Sequence, residues 1–325
     1  MSVAYELARC AVCGSADARE VAAPTDVRDE VEGLWAFHGR RLRDETPPAQ
    51  LMDRVAFSQH APLRVVRCTG CGLVYRNPVE RPRELAAAYV DDSPTTARMQ
   101  ALHDTQRTSY AAQADRLSSF FGRRGSGIEV GSYVGAFLAA ARDAGWQFAG
   151  VDVNVCANAF TRSLGFAVHD GPLESLDPGR RADVVAIWNC LDQLVDPASV
   201  IRAARTHLAP GGMLAVRVPN GACYATMRPL LRTRFAPVAR QWLAQNNLLG
   251  FPYRFGFTPA SLARLVGRLG FAVEHVVGDV LVPIADQWTR PWARLEERAV
   301  KGILGRVARR RHGLAPWFEL YARAV

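Results

Sequence analysis

Four cysteines are paired as Cys10-Ala-Val-Cys13-Gly14 and Cys68-Thr-Gly-Cys71-Gly72. Two such pairs supply the tetrahedral thiolate set that zinc favours, because a two-residue spacer lets both sulfurs of a pair turn toward one ion. A glycine directly after the second cysteine accepts the positive φ of the tight turn. Cys10, Cys13, Cys68 and Cys71 are therefore expected to hold a structural zinc ion, since four thiolates leave no open position for water or substrate. Residues 14–67 separate the knuckles, a longer stretch than in a compact zinc ribbon, so the ion would staple a large loop. A redox role needs a CxxC at a helix start in a βαβ context, which neither pair has. Cys156, Cys190 and Cys223 stand alone in apolar surroundings and read as buried small residues.

A second constellation lies in the middle of the chain. Glu129-Val-Gly131-Ser132-Tyr133-Val-Gly135 ends one strand pattern, and Asp152 ends the next roughly 20 residues after Gly131. A dinucleotide site asks for G-x-G-x-x-G with a helix N-terminus facing the pyrophosphate. Here the third position is Tyr133 and the sixth is Ala136, so that fingerprint fails. A nucleoside without phosphates asks for less: a glycine turn for close approach, a carboxylate for the ribose diol and an acid for an ammonium group. Asp152 suits the diol, because one carboxylate can accept from both hydroxyls. Glu129 suits the ammonium.

The elements that position these residues alternate in the rhythm of a parallel sheet. Residues 127–131 read as a short buried strand, 135–144 as an Ala-rich helix stopped by Gly145, and 147–154 as a second strand. A helix over 155–164 precedes Gly165, a third strand covers 166–169 and a fourth 182–191, with the run Val184-Val-Ala-Ile-Trp188. Asp196-Pro197 and Thr258-Pro259 each open a helix with an N-cap and a proline at the first position. A fifth strand covers 213–218, and the last strands are expected at 271–277 and 280–284. This is an α/β fold, a doubly wound sheet, whose ligands bind at the carboxyl ends of the strands.

Residues 127–284 resemble a class I S-adenosylmethionine-dependent methyltransferase, with EVGSYVG as the glycine motif, GVDVN as the ribose acid, 183–197 as the fourth strand and its exit, and Leu208-Ala-Pro-Gly-Gly-Met-Leu214 before the fifth. RCTGCGLVYRNP, Arg67 to Pro78, is similar to the zinc-binding module of sugar and natural-product methyltransferases. The resemblance implies a Rossmann-like, seven-stranded, mostly parallel sheet with an N-terminal four-Cys zinc module and a helical lid. It implies that Glu129, Gly131, Ser132, Tyr133 and Gly135 face the methionine and ribose of S-adenosylmethionine, and that Asp152 and Val153 hold the ribose and the adenine edge. Asp170, Gly171 and Leu173 would border the adenine, and Asn189 and Leu191 would contact the cofactor from the fourth strand. Two positions depart from the family pattern: Tyr133 replaces its central glycine, and Asp192-Gln193 stands where many relatives carry Glu-His.

Methyl transfer is an in-line displacement, so the enzyme positions the nucleophile and excludes water, with a base only where the acceptor must lose a proton. Asp192, Gln193, Asn220 and Tyr224 follow the fourth and fifth strands; Asp192 is the preferred base, with helix capping as its bland alternative. The expected organisation is a zinc module over 1–80, a helical linker over 81–126, the cofactor-binding domain over 127–286 with a lid at 221–257, and an amphipathic helix over 287–325. Arg228, Arg232, Arg234 and Arg240 cluster in the lid and suit an acidic group on the acceptor, such as a nucleotide diphosphate. Trp292, Leu295, Ala299 and Ile303 form a stripe that suits docking onto the body or onto a second subunit of a homodimer.

The formal charge of +9 raises a nucleic-acid reading, but Lys301 is the single lysine among 40 basic residues and the arginines are scattered. No apolar run approaches the ~18 residues of a membrane helix, and the first residues carry Glu6 and Arg9, unlike a signal peptide. The expected protein is cytoplasmic and methylates a small molecule, a nucleotide sugar or specialised metabolite. The alternatives are an RNA or protein methyltransferase and a non-catalytic S-adenosylmethionine-binding protein.

Overall fold

The computed structural model describes residues 5–46, 63–82, 94–246, 248–250, 253–281 and 288–325. Its centre is a seven-stranded sheet in the order β12-β13-β10-β9-β6-β7-β8. These strands are β6 (Ser126–Val130), β7 (Gln147–Asp152), β8 (Val168–Asp170), β9 (Ala182–Trp188), β10 (Leu208–Pro219), β12 (Phe271–Asp279) and β13 (Trp317–Ala324). Strands β6 to β10 pair in parallel, whereas β13 is antiparallel to both β10 and β12.

The apolar run of β9 shows why this sheet is buried on both faces. Val184, Ala186 and Trp188 join Phe137, Trp146 and Phe148 in one cluster, while Val185 and Ile187 join Leu262, Leu265 and Val266 in another. Successive side chains of a strand point to opposite faces, so a continuous apolar run is what such a strand requires.

The crossover helices begin and end where the residue types dictate. They are α3 (Ala136–Asp143), α4 (Val155–Ser163), α5 (Pro197–His207) and α8 (Pro259–Arg268). Asn154, Asp196 and Thr258 accept backbone N–H bonds as N-caps of α4, α5 and α8. Before this layer, α2 (Thr96–Phe121) lays Met99, Ala114 and Leu117 against the sheet layer.

The segment expected as a C-terminal helix is divided in two. Helix α9 (Pro291–Arg310) buries Ala293, Leu304 and Ala308, and leaves Trp292, Leu295 and Ile303 exposed. The chain then turns back as β13, which takes the place expected for a strand at 280–284. Residues 282–284 of that expectation lie outside the described residues, and β12 ends at Asp279.

The N-terminal segment and the segment expected as a lid are also joined more closely than expected. Strands β2 (Ala18–Ala22), β3 (Arg64–Cys68) and β4 (Val74–Asn77) form an antiparallel sheet whose fourth strand, β11 (Phe255–Gly256), comes from the lid segment. A short pair, β1 (Tyr5–Glu6) and β5 (Val79–Glu80), sits beside it. Helix α1 (Pro24–Gly39) lies between the two knuckles in sequence. It packs beside the lid helices α6 (Gly221–Met227) and α7 (Ala236–Asn246), so that Val27, Tyr224, Met227, Leu243 and Tyr253 share one buried cluster. No helix among the described residues is long and apolar enough to cross a membrane.

Candidate functional site

The two cysteine knuckles meet as their spacing predicts. Gly14 and Gly72 take φ of 74° and 78°, and their N–H groups bond back to the carbonyls of Cys10 and Cys68. All four sulfurs lie within 4.8 Å of one another, with Cys10–Cys71 at 3.4 Å and Cys13–Cys68 at 3.5 Å. A tetrahedron of ~2.3 Å metal–sulfur bonds has edges of about 3.8 Å, so the cluster fits a metal ion. Two arginines of α8 brace the knuckles: Arg268 donates to Val12 O at 2.7 Å and Arg264 to Gly70 O at 2.8 Å. Cys10 and Cys68 also share a buried cluster with the central sheet, so the metal site is continuous with the core.

The carboxyl ends of β6, β7 and β9 gather three acids. Glu129, on β6, is 3% exposed, and its Oε2 has no hydrogen-bond partner among the described residues. Burial, then the nearby Asp152, holds its carboxyl well above the ordinary range. Asp152 ends β7 and accepts from Tyr133 N and Asn154 N, both at 2.9 Å, one at each carboxylate oxygen. Burial pushes its carboxyl above the ordinary value as well, against the pull of those N–H groups. Asp192, beyond β9, is 2% exposed; its Oδ1 is unpartnered among the described residues, and burial pushes it up to about 7. The thiol of Cys190 lies among all three: burial, then Asp152, Asp192 and Glu129, raises it.

The turn between β6 and α3 needs unusual backbone. Gly131 and Gly135 take φ of 75° and 68°; a Cβ on Gly131 would stand 2.8 Å from Cys190 Sγ, and one on Gly135 2.7 Å from Thr161 Cγ2. Tyr133 adopts φ of 41° without being glycine, a conformation L-residues resist. It is held there from both sides, its N–H on Asp152 and its carbonyl accepting from Thr161 Oγ1 at 2.7 Å. Its ring packs beside Met99, Val134 and Phe160. Asn189 is the second such residue, at φ of 54°; its Nδ2 donates to Tyr110 OH at 3.3 Å and its carbonyl accepts from Gln193 Nε2 at 2.8 Å.

The sequence model of a methyltransferase domain family matches residues 102–276, more than half of the chain. The chain belongs to that family. No curated protein matches it. Solved structures with similar folds include an S-adenosylmethionine-dependent methyltransferase of Thermotoga maritima, at 15% identity and TM-score 0.45, covering 70% of this chain and 93% of that one. A second, from Mesorhizobium loti, is 19% identical with TM-score 0.42 over 62% and 91% of the two chains. An amino pentose methyltransferase from Micromonospora echinaspora is 24% identical with TM-score 0.31, over 34% of this chain and 49% of that one.

The methyltransferase rim suits a nucleoside donor bearing an ammonium group. Glu129 Oε2 is an orphaned buried acceptor, and Asp152 keeps a lone pair on each oxygen beyond its backbone bonds. Ser132 Oγ is likewise buried without a partner among the described residues. Val153 is an exposed apolar side chain at the tip of β7, whereas Leu173 and Leu191 are buried in the core. Asp170 accepts from Asn158 Nδ2 and pairs with Arg162, both at 2.7 Å, while Gly171 N donates to Asp152 O at 2.9 Å.

On the acceptor side the structure separates residues that sequence reasoning grouped. The capping alternative for Asp192 does not hold, because Asp196 caps α5. Asp192 instead accepts Arg254 N and Phe255 N at its main-chain carbonyl, at 2.8 and 3.0 Å. Asn220 is spent as the N-cap of α6 and on the carbonyls of His312 and Ala315, both at 2.9 Å. Tyr224, expected beside Asp192, donates its hydroxyl to Glu30 Oε2 of α1 at 2.8 Å. Burial and that carboxylate hold its phenol well above the ordinary value, so it is no proton acceptor. Tyr110, Asn158, Thr161 and Glu30 were not expected as site residues from the sequence. Asn158 alone carried a signal, as a polar residue on the helix that follows the ribose acid.

Proposed function

We propose that this methyltransferase moves a methyl group from S-adenosylmethionine to a hydroxyl or amine of a small molecule, with Asp192 as the proton acceptor. The donor, when bound, supplies an electrophilic sulfonium methyl. Asp152 would accept from the two ribose hydroxyls, and Glu129 with Ser132 would hold the methionine end. The Gly131–Gly135 turn offers the close backbone approach, Val153 an apolar surface for the adenine, and Asp170 and Gly171 its polar border. Asn189 and Gln193 order the exit of β9 rather than touch protons.

The single observation that carries the reading is a pair of buried carboxyl groups with unsatisfied oxygen atoms among the described residues, Glu129 and Asp192, gathered with Asp152 at the carboxyl ends of the strands. Leaving a buried charged acceptor unpaired costs free energy, so such atoms are kept for a ligand. A carboxyl group poised near neutrality is also suited to take a proton at neutral pH. Zinc is the ion we assign to Cys10, Cys13, Cys68 and Cys71, in a structural role, because the four thiolates fill its coordination sphere.

Release of S-adenosylhomocysteine, followed against a panel of amines and polyols, tests the proposal. Acceptor-dependent release that collapses in Asp192→Asn supports it. Donor binding without release on any acceptor class contradicts it.

A further inference from the structure

A cavity of about 760 Å³ lies between α1 and the lid helices α6 and α7, lined by Glu30, Phe37, Tyr224, Gln241 and Asn246 among others. None of Glu129, Asp152 and Asp192 lines it. Its volume suits a small ligand, in the range of about 300–1,000 Å³.

The buried unsatisfied atoms among its lining residues are all acceptors. Asn246 is fully buried, and its Nδ2 donates to the carbonyls of Asn220 and Pro316, at 3.2 and 2.5 Å. Gln241 donates its Nε2 to Glu296 at 2.9 Å. Those bonds fix both amide orientations, because swapping oxygen for nitrogen would set acceptor against acceptor. The remaining atoms, Asn246 Oδ1 and Gln241 Oε1, are buried without a partner among the described residues. Both are acceptors, so an occupant must bring donors.

Two of the four arginines that suggested an anionic acceptor are committed to carboxylates. Arg228 bonds Glu30 at 2.7 Å and Asp26 at 2.8 Å, Arg232 bonds Asp26 at 2.8 Å, and Arg40 pairs with Glu296 at 3.3 Å. Among the described residues Arg240 alone of the lining arginines lacks a carboxylate partner, and the exposed Asp29 on the same wall offsets its charge.

We propose that this cavity holds a polyhydroxylated or amino-bearing portion of the acceptor, neutral or cationic, rather than a phosphate-bearing one. That the ligand is the acceptor rests on the methyl-transfer reading; that it is rich in donors rests on the cavity's own atoms. The wall and the base are linked through the chain, since Leu248 and Leu249 line the cavity and Arg254 and Phe255 bond Asp192.

Gly33 provides a clean way to fill the space. It lies on α1 in the cavity wall, and a Cβ there meets nothing within 4 Å. Saturation-transfer NMR on the full chain, with glucosamine, glucose and glucose 1-phosphate as probes, measures the preference. Glucosamine and glucose are expected to bind more tightly than glucose 1-phosphate, and Gly33→Phe to weaken them by about tenfold or more while S-adenosylmethionine affinity is retained. Gln241→Leu, which removes one free acceptor, is expected to act in the same direction and serves should Gly33→Phe misfold. Preference for the phosphate, unchanged binding in both variants, or no binding of any probe overturns the proposal. Probe binding in a chain that calorimetry shows not to bind S-adenosylmethionine would instead overturn the acceptor's role and leave the cavity's chemistry standing.

Discussion

The cysteine cluster and the carboxylate rim both crowd groups that repel one another, but they are closed in opposite ways. Around the cysteines, glycine turns, two arginines of α8 and the sheet's own core hold the knuckles, and the sulfurs face one another. At the rim, the backbone supplies one N–H to each oxygen of Asp152 and none of the described residues bonds Glu129 Oε2 or Asp192 Oδ1. A closed cluster contributes its binding energy to folding, since the site does not exist in the unfolded chain. An open rim lowers stability in exchange for unsatisfied atoms that a ligand can use. The difference separates a cluster suited to holding the fold from a rim suited to holding a ligand.

The largest effect should come from opening the closed site. Structural zinc contributes roughly 10–16 kcal/mol in small zinc-binding peptides. Cys68→Ser, or removal of the ion by a chelator, is expected to lower the midpoint of thermal unfolding by about 10 °C or more. Elemental analysis should find one zinc per chain in the parent and loss in the variant; a parent without metal and with unchanged melting would break the comparison.

At the rim, Asp192→Asn should leave folding and donor affinity intact and lower kcat by about 10²–10⁴-fold. Because Asp192 is raised to about 7, the parent's rate should climb as pH rises through 7 and level off above it. The stability effect has the opposite sense. The folded chain keeps this proton between the ordinary carboxyl value and about 7 while the unfolded chain has lost it, so stability falls as pH rises through that window. Asp192→Asn should flatten both dependences, measured by initial rates and by denaturant titration at several pH values.

A smaller effect sharpens the same contrast. Gly135→Ala places a Cβ 2.7 Å from Thr161 at a φ of 68°, which should cost about 1–3 kcal/mol in urea unfolding. A change below ~0.5 kcal/mol would show that the turn is not rigid.

The sheet was legible because β9 and β10 are apolar runs bounded by glycine or by Asp-Pro and Thr-Pro helix starts, signals that are local. Strand β13 was not, because Phe318-Glu-Leu-Tyr-Ala-Arg-Ala324 is built of good helix formers, and its strand state is set by the two neighbours it pairs with. The knuckles were legible from spacing alone, and Asp152 and Glu129 from their place at strand ends. Tyr224 was misplaced for the opposite reason: its partner Glu30 is nearly 200 residues away in sequence, and only the packing of α1 on the lid brings them together.

The central claim is that Asp152 grips the donor's ribose diol. Two hydrogen bonds to a charged acceptor contribute roughly 1.5–3 kcal/mol each. Isothermal titration of S-adenosylmethionine into the parent and into Asp152→Ala measures them directly. The account predicts saturable binding by the parent and a loss of at least about a hundredfold in the variant, with folding retained. Equal affinity in the two proteins would contradict it.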